Sequence, residues 1–504
     1  MRSRPVLVLL AAASLLLALS TGCTGDDGDG APDGAVSEYS GDASSGGGDD
    51  AAAPSLPPED GDPNTFADAG TNPWTDPAED DQSTFGLDVD TGSWTIGRRF
   101  IADGELPPPE AVRTEEWINA LSDVDDAPED TLGLTVEGGR VDDRLLVRLG
   151  VAAREVPADE RPDVNLVFVV DTSGSMDEES KIGLVRESLA VLVENLEDDD
   201  TVSIVTFDDE AEPTLEPTPV GEDGEILDAI ESLEAGGSTN LEGGLRLGYA
   251  TAEDLVTDEE SLTRVVLLSD GVANVGETGP GSLVELIRDD ADRGVKLVTV
   301  GFGLGGFNDA LMEQVADDGD GFYAYVDTID EAERLFGDEL TTTLVTVAED
   351  ARAQVTFDPD TVARYRLIGY ENRDIADDEF DDDDTDAGEL GSGHRVVALY
   401  EVEPADGVDG DTALGSVELR WDDPEGGDER TTTTPIELPV DDDAPEATQV
   451  VGAVADLAAE LRGGEPSPTA LEEIAERLEE LAADVDDPVV EEMAEVAAEA
   501  ARLA

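Results

Sequence analysis

Residues 165–176, NLVFVVDTSGSM, set an uncharged, β-branched run directly before one carboxylate and a cluster of hydroxyls. Asn165 to Val170 reads as a central strand of a parallel sheet covered on both faces. At its carboxyl end Asp171, Ser173 and Ser175 alternate along a tight loop, and Gly174 lets the backbone turn so that three oxygens can converge. Oxygens of this kind hold a hard cation. Magnesium favours near-octahedral oxygen ligands, few of them carboxylates, and keeps waters that a partner can replace. A short Asp/Ser/Gly loop is also a common turn, so this spacing alone leaves both readings open.

Two later stretches add oxygens. Gly236 to Asn240, GGSTN, precedes an amphipathic helix and puts Thr239 near its N-terminus; Arg264 to Leu268 is a second buried strand that delivers Ser269, Asp270 and Gly271. Carboxyl-end loops of neighbouring strands in an open α/β sheet meet at one crevice, so residues distant in sequence can share a site. The surrounding chain has the right rhythm. From Val164 to about Val345 strands and helices alternate, which predicts a doubly wound parallel sheet. Helices are expected at Lys181 to Leu196, Glu225 to Leu233, Leu241 to Leu255 and Leu283 to Arg293, with further strands at Thr201 to Phe207, Lys296 to Val300 and Phe322 to Val326.

The D-x-S-x-S at Asp171, Ser173 and Ser175, with Thr239 and Asp270, resembles the metal-ion-dependent adhesion site of von Willebrand factor A domains, and all five motif positions match. The resemblance implies an α/β, Rossmann-like fold holding Mg2+, or Mn2+ or Ca2+ in its place. Ser173, Ser175 and Thr239 would coordinate directly or nearly so. Asp171 and Asp270 would act partly through water, and the open position would take a carboxylate from a protein ligand.

Met1 to Cys23 reads as an export signal: Arg2 and Arg4, an apolar run from Val6 to Leu19, then Ser20, Thr21, Gly22 and Cys23. Cys23 is the single cysteine, so no intramolecular disulfide can form. Following Gly22, it resembles the lipidated cysteine of a bacterial lipoprotein, which would anchor the chain to the membrane of the cell envelope. Ser20 departs from the aliphatic residue usual three before that cysteine. Residues 24–81, rich in Gly, Asp, Ala, Ser and Pro, are expected to remain a disordered, self-repelling tether.

Composition narrows the partners. With 125 acidic against 28 basic residues the formal charge is −97, and Lys181 and Lys296 are the sole lysines. Nucleic acid is excluded as a natural partner, because backbone binding needs clustered Lys and Arg. Such like charge destabilises a compact state in dilute buffer, whereas at molar salt the Debye length falls to about 3 Å. The expectation is a source living at high ionic strength; a melting temperature higher in dilute buffer than in molar salt would refute it. Gly301, Gly303 and Gly306 satisfy G-x-G-x-x-G but arrive late in the fold rather than in its first βαβ unit, so they read as a strand-to-helix turn and no nucleotide is expected. His394, the sole histidine, rules out HExxH and is expected at a strand start near solvent.

The flanks have their own pattern. Residues 82–160 contain a strand, a helix near Leu121 and alternating strands from Thr131 to Val156, with Leu145, Val147, Leu149 and Val151 on one face. Asp88, Asp90, Thr91 and Ser93 read as an Asx-type turn with a solvated face. Residues 346–443 read as an antiparallel β-rich domain to which the Thr131 to Val156 strands are candidates to belong, and residues 444–504 as helices at Thr448 to Leu461, Thr469 to Leu481 and Val489 to Leu503. FGLDVDTGS, GELPPPEAVRTEEWIN, YRLIGYENR and DAGELGSGHRVVALYEVEP resemble the flanking regions of exported bacterial von Willebrand factor A proteins. The resemblance implies a non-catalytic envelope protein that captures a protein ligand through the cation. An accessory or scaffold subunit of a membrane transport or envelope-stress assembly is the alternative.

Overall fold

The computed structural model describes residues 64–504 apart from 88, 122–126, 129, 158–159, 257–260, 272–286, 289–290, 292, 340–343, 383–384, 386, 425–428, 484 and 486. The expected signal, Cys23, the first part of the tether, Asp88 and most of the Leu283 to Arg293 helix lie outside the described residues.

The tether expectation is corrected at its far end. Asn64 Oδ1 accepts from the Gly305 and Phe307 N–H groups, and Thr65 N–H donates to the Phe307 carbonyl (2.7 Å). Thr75 pairs with Tyr365, and the guanidiniums of Arg364 and Arg366 lie over Trp74. Aromatic residues among the polar ones give residues 64–81 something to bury: Phe66 meets Phe100 edge-on.

Strand β1 (Gln82–Gly86) leads into helices Gly92–Ala102 and Thr114–Asn119, then a hairpin of β2 (Leu132–Val141) and β3 (Arg144–Ala153). The first helix was not anticipated, and the solvated face expected for Asp90 and Ser93 is wrong, since both are buried. Asp90 accepts from the Tyr323 N–H (2.8 Å) and from Arg373, while Ser93 Oγ donates to the Ala111 carbonyl and accepts from the Arg113 N–H. Buried polar groups persist because each is hydrogen-bonded.

Next come β4 (Val164–Asp171), β5 (Thr201–Phe207), β6 (Ala211–Pro219), β7 (Leu262–Ser269), β8 (Lys296–Phe302) and β9 (Tyr323–Val326), in the order β6-β5-β4-β7-β8-β9. Five strands are parallel; β6 runs antiparallel to β5 on the edge, so the sheet is mixed rather than wholly parallel. Pro213 and Pro217 hid β6 from sequence reading, yet an edge tolerates prolines that cannot donate to a ladder. Residues of β4 alternate between two apolar layers: Leu166, Phe168 and Val170 face one, Val167 and Val169 the other. That two-sided burial explains the unbroken apolar run.

Strands β10 (Thr346–Phe357), β11 (Val362–Ile368), β12 (Gly388–Gly391), β13 (Arg395–Pro404), β14 (Asp411–Asp422) and β15 (Glu429–Pro439) complete a sandwich with the earlier ones. One sheet is β1-β10-β14-β15 with β12 also on β10, and the other is β11-β13-β3-β2. The two flanks are thus one domain interrupted by the A domain, not two. In β3, Leu145, Val147, Leu149 and Val151 face the sandwich core, whereas Leu146 faces helices Glu446–Arg462, Pro468–Ala482 and Pro488–Leu503. Among the described residues no helix is long and apolar enough to cross a membrane.

Scarce basic residues fasten the sandwich to the A domain. Arg98 reaches Asp327 (2.7 Å), Glu331 and Glu492, so it joins three elements; Arg373 pairs with Asp90 and Asp317, and Lys296 with Glu349. Deepest is Arg113, in contact with Glu116, Asp309 (2.5 Å) and Glu313 (3.5 Å). A cleft of about 220 Å³ lies along this junction, and its charged walls are already partly paired as Arg373–Asp317 and Arg288–Asp318.

His394 immediately precedes β13 and is half-buried rather than near solvent: Nδ1 accepts from the Gly391 N–H (3.1 Å), and Phe322 meets the ring edge-on. Arg264, Lys296, Asp320 and Glu389 share its cleft. Burial pushes the imidazole down to about 4. The unfolded chain takes up this proton near pH 6.5 and the folded one does not, so the contribution is full above pH 6.5 and lost as pH falls toward 4. Wild type should lose about 1–2 kcal/mol relative to His394→Asn between pH 7 and pH 4.5. Parallel pH profiles in urea titrations would contradict this.

Candidate metal centre

Strands β4 and β7 are parallel neighbours, with Val170 opposite Leu268, so Asp171 and Ser269 leave the sheet side by side. Ser269 Oγ donates to Asp171 Oδ2 (2.7 Å), and the Ser173 N–H donates to Asp171 Oδ1 (2.8 Å). Ser173 Oγ and Ser175 Oγ lie 2.9 Å apart. Two backbone bonds bolt the GGSTN loop to the same rim: Gly236 N–H to the Thr172 carbonyl (2.7 Å) and Gly174 N–H to the Gly237 carbonyl (3.1 Å). Thr239, largely buried, follows directly. Asn240 then caps helix Leu241–Leu255 by accepting from the Gly243 N–H (3.0 Å).

Asp270 completes the set. The chain turns after it at Gly271 (φ +70°), where a Cβ would stand 2.8 Å from the Asn308 carbonyl oxygen. Asp171 and Asp270 are both fully buried. Burial first, and the charge of Asp270 second, push Asp171 up to about 6 against the hydrogen bonds from Ser269 and Ser173. Two carboxylates buried within electrostatic reach of each other, beside hydroxyl oxygens, form a donor set that suits a hard divalent cation. Among the described residues no three His, Cys, Asp or Glu side chains cluster to hold a metal, so an ion bound at this rim would take its remaining donors from hydroxyls.

Sequence reading missed Lys181, whose Nζ donates to Asp270 Oδ2 (3.0 Å) with both side chains out of solvent. Its rarity was the available signal. Gly303 (φ +72°), part of the G-x-G-x-x-G decoy, lies against the lysine stem, where a Cβ would collide with its carbons. Gly301 likewise lies against the Phe307 and Tyr325 rings, so both of these glycines make room for side chains.

The sheet and its hydroxyl-lined rim are those of a von Willebrand factor type A domain, and residues 165–338 match that family. Residues 60–139 match a family described as von Willebrand factor, and residues 342–503 one described as "Uncharacterized protein YfbK, C-terminal". The chain is 37% identical over 343 residues to "Uncharacterized protein YfbK" of Escherichia coli (strain K12), over 66% of this chain and 60% of that protein. The chain thus carries a von Willebrand factor type A domain between flanks similar to those of YfbK, and it spans about 60% of that relative's length. The human inter-alpha-trypsin inhibitor heavy chain H3 is 30% identical over 166 residues, which is 31% of this chain and 18% of that one. Among solved structures, "von Willebrand factor type A from Catenulispora acidiphila" aligns over 71% of this chain and 88% of its own, at 16% identity and a TM-score of 0.42.

Proposed function

We propose that this chain is a non-catalytic envelope lipoprotein, anchored through Cys23, that captures a protein ligand by a divalent cation on the A domain. Asp171, Ser173, Ser175, Thr239 and Asp270 would hold Mg2+, or Mn2+ or Ca2+, and a ligand carboxylate would complete it. The observation that carries the reading is the convergence of three loops on the rim where Asp171 and Asp270 are buried together. When bound, the ion supplies Lewis-acid attraction for an acidic side chain; the protein supplies the cradle. Ser173 and Ser175 present hydroxyls, and Ser269 fixes the Asp171 carboxylate so that it does not have to reorganise. A surface this acidic repels an acidic ligand at long range, and salt screening removes that barrier while leaving the local attraction.

Capture from envelope extracts on the immobilised chain, with and without chelator, tests the reading. Retention of a protein lost on chelation and restored by Mg2+ is expected. Chelator-insensitive retention of integral membrane proteins would favour the accessory-subunit alternative.

A further inference from the structure

Lys181 is one of two lysines in a chain of net charge −97. Its ammonium is buried against Asp270, and its stem is wedged against Gly303, a position that only a residue without a Cβ could yield. Its own N–H is held by the Glu178 carbonyl (3.0 Å). A cation so fixed beside one of two buried carboxylates is not a solvated surface charge. Lys296, the other lysine, serves as a junction staple on Glu349.

We infer that Lys181 is a built-in counter-cation of the rim, holding Asp270 and offsetting its charge before a divalent ion arrives and limiting how tightly that ion binds. The inference rests on the cation site proposed above and concerns its tuning. Without Lys181 the rim would carry the two carboxylate charges of Asp171 and Asp270; with it the sum is one negative charge. A divalent ion then leaves the loaded rim with one net positive charge instead of none. That surplus attracts an acidic partner, and the metal binds less tightly because two cations share a small space. The lysine thereby trades metal affinity for a rim that stays folded when empty and is electropositive when loaded.

Two variants test this in the full chain, with Mg2+ alone as the probe. Lys181→Met keeps the stem that packs on Gly303 and removes the charge, and Lys181→Arg restores a charge. By calorimetric titration Lys181→Met should bind Mg2+ about tenfold tighter or more, since charge repulsion at this range exceeds the free energy of one decade. Its metal-free melting temperature should fall below wild type, and its rise on adding Mg2+ should be the larger of the two. Lys181→Arg should bind within about threefold of wild type. A variant that folds only with Mg2+ present supports the same conclusion. A side chain that merely positions Asp270 predicts the reverse sign, so Lys181→Met binding Mg2+ equally or more weakly overturns the inference while leaving the cation site standing. A wild-type chain that takes up no Mg2+ overturns both, and a Lys181→Met chain unfolded with and without Mg2+ overturns the tuning role in favour of a structural one.

Discussion

Replacing Arg113 by methionine should lower the unfolding free energy by about 3–5 kcal/mol at neutral pH, the cost of breaking a buried ion pair from one side. The guanidinium is the shared partner of Glu116, Asp309 and Glu313, and the first two are entirely out of solvent. Methionine fills comparable space but leaves those carboxylates facing one another without a cation, although the Ser93 N–H still donates to Glu116 (2.7 Å), the Tyr323 hydroxyl to Asp309 (2.8 Å) and Asn372 to Glu313 (2.7 Å). Burial, the leading cause, already pushes Glu313 up to about 7, so this cluster is poised to take a proton. For a carboxylate raised in the folded state, the penalty is full above its folded pKa and fades as pH falls from there toward the ordinary carboxylate range. The loss in Arg113→Met should therefore shrink between pH 7 and pH 5. Urea titrations at both values measure it; a loss under 1 kcal/mol, or one that grows toward acid, would show that Arg113 is not the compensating charge. The helix starting at Asp309 follows Asn308, against which Gly271 packs, so the same variant should also report whether the sandwich supports the rim.

Much of the rim was legible because its oxygens sit at the ends of apolar strands. Asp171 follows Val170 and Asp270 follows Ser269, and a two-sided apolar run that stops at a carboxylate marks a strand's carboxyl end without reference to anything distant. What stayed hidden depended on partners far along the chain. Asp90 and Ser93 look like turn residues until Tyr323 and Glu116 are brought to them. Lys181 reads as a helix-start residue until Gly303 opens a slot toward Asp270. Strand β6 carries three prolines and four polar residues in nine positions, and only its place on the sheet edge makes it a strand. The division of the sandwich between two flanks was half visible, in the matched alternation of Leu145 to Val151 and Val396 to Val402, but their pairing is a tertiary fact.

The second large effect concerns Asp171, which anchors the centre of the rim through Ser269 on one oxygen and the Ser173 backbone on the other. Alanine there removes a candidate ligand and the acceptor that aligns two neighbours, while relieving the repulsion that Asp270 exerts in the empty site. The variant should therefore be no less stable than wild type without metal, yet unable to gain stability from it by ligand linkage. Calorimetric titration of the full chain with Mg2+, run side by side on wild type and Asp171→Ala, measures this directly. Saturable single-site heat from wild type and none from Asp171→Ala is the expected result; equal heats from the two, or none from either, would contradict the assignment of the rim as a divalent-cation site.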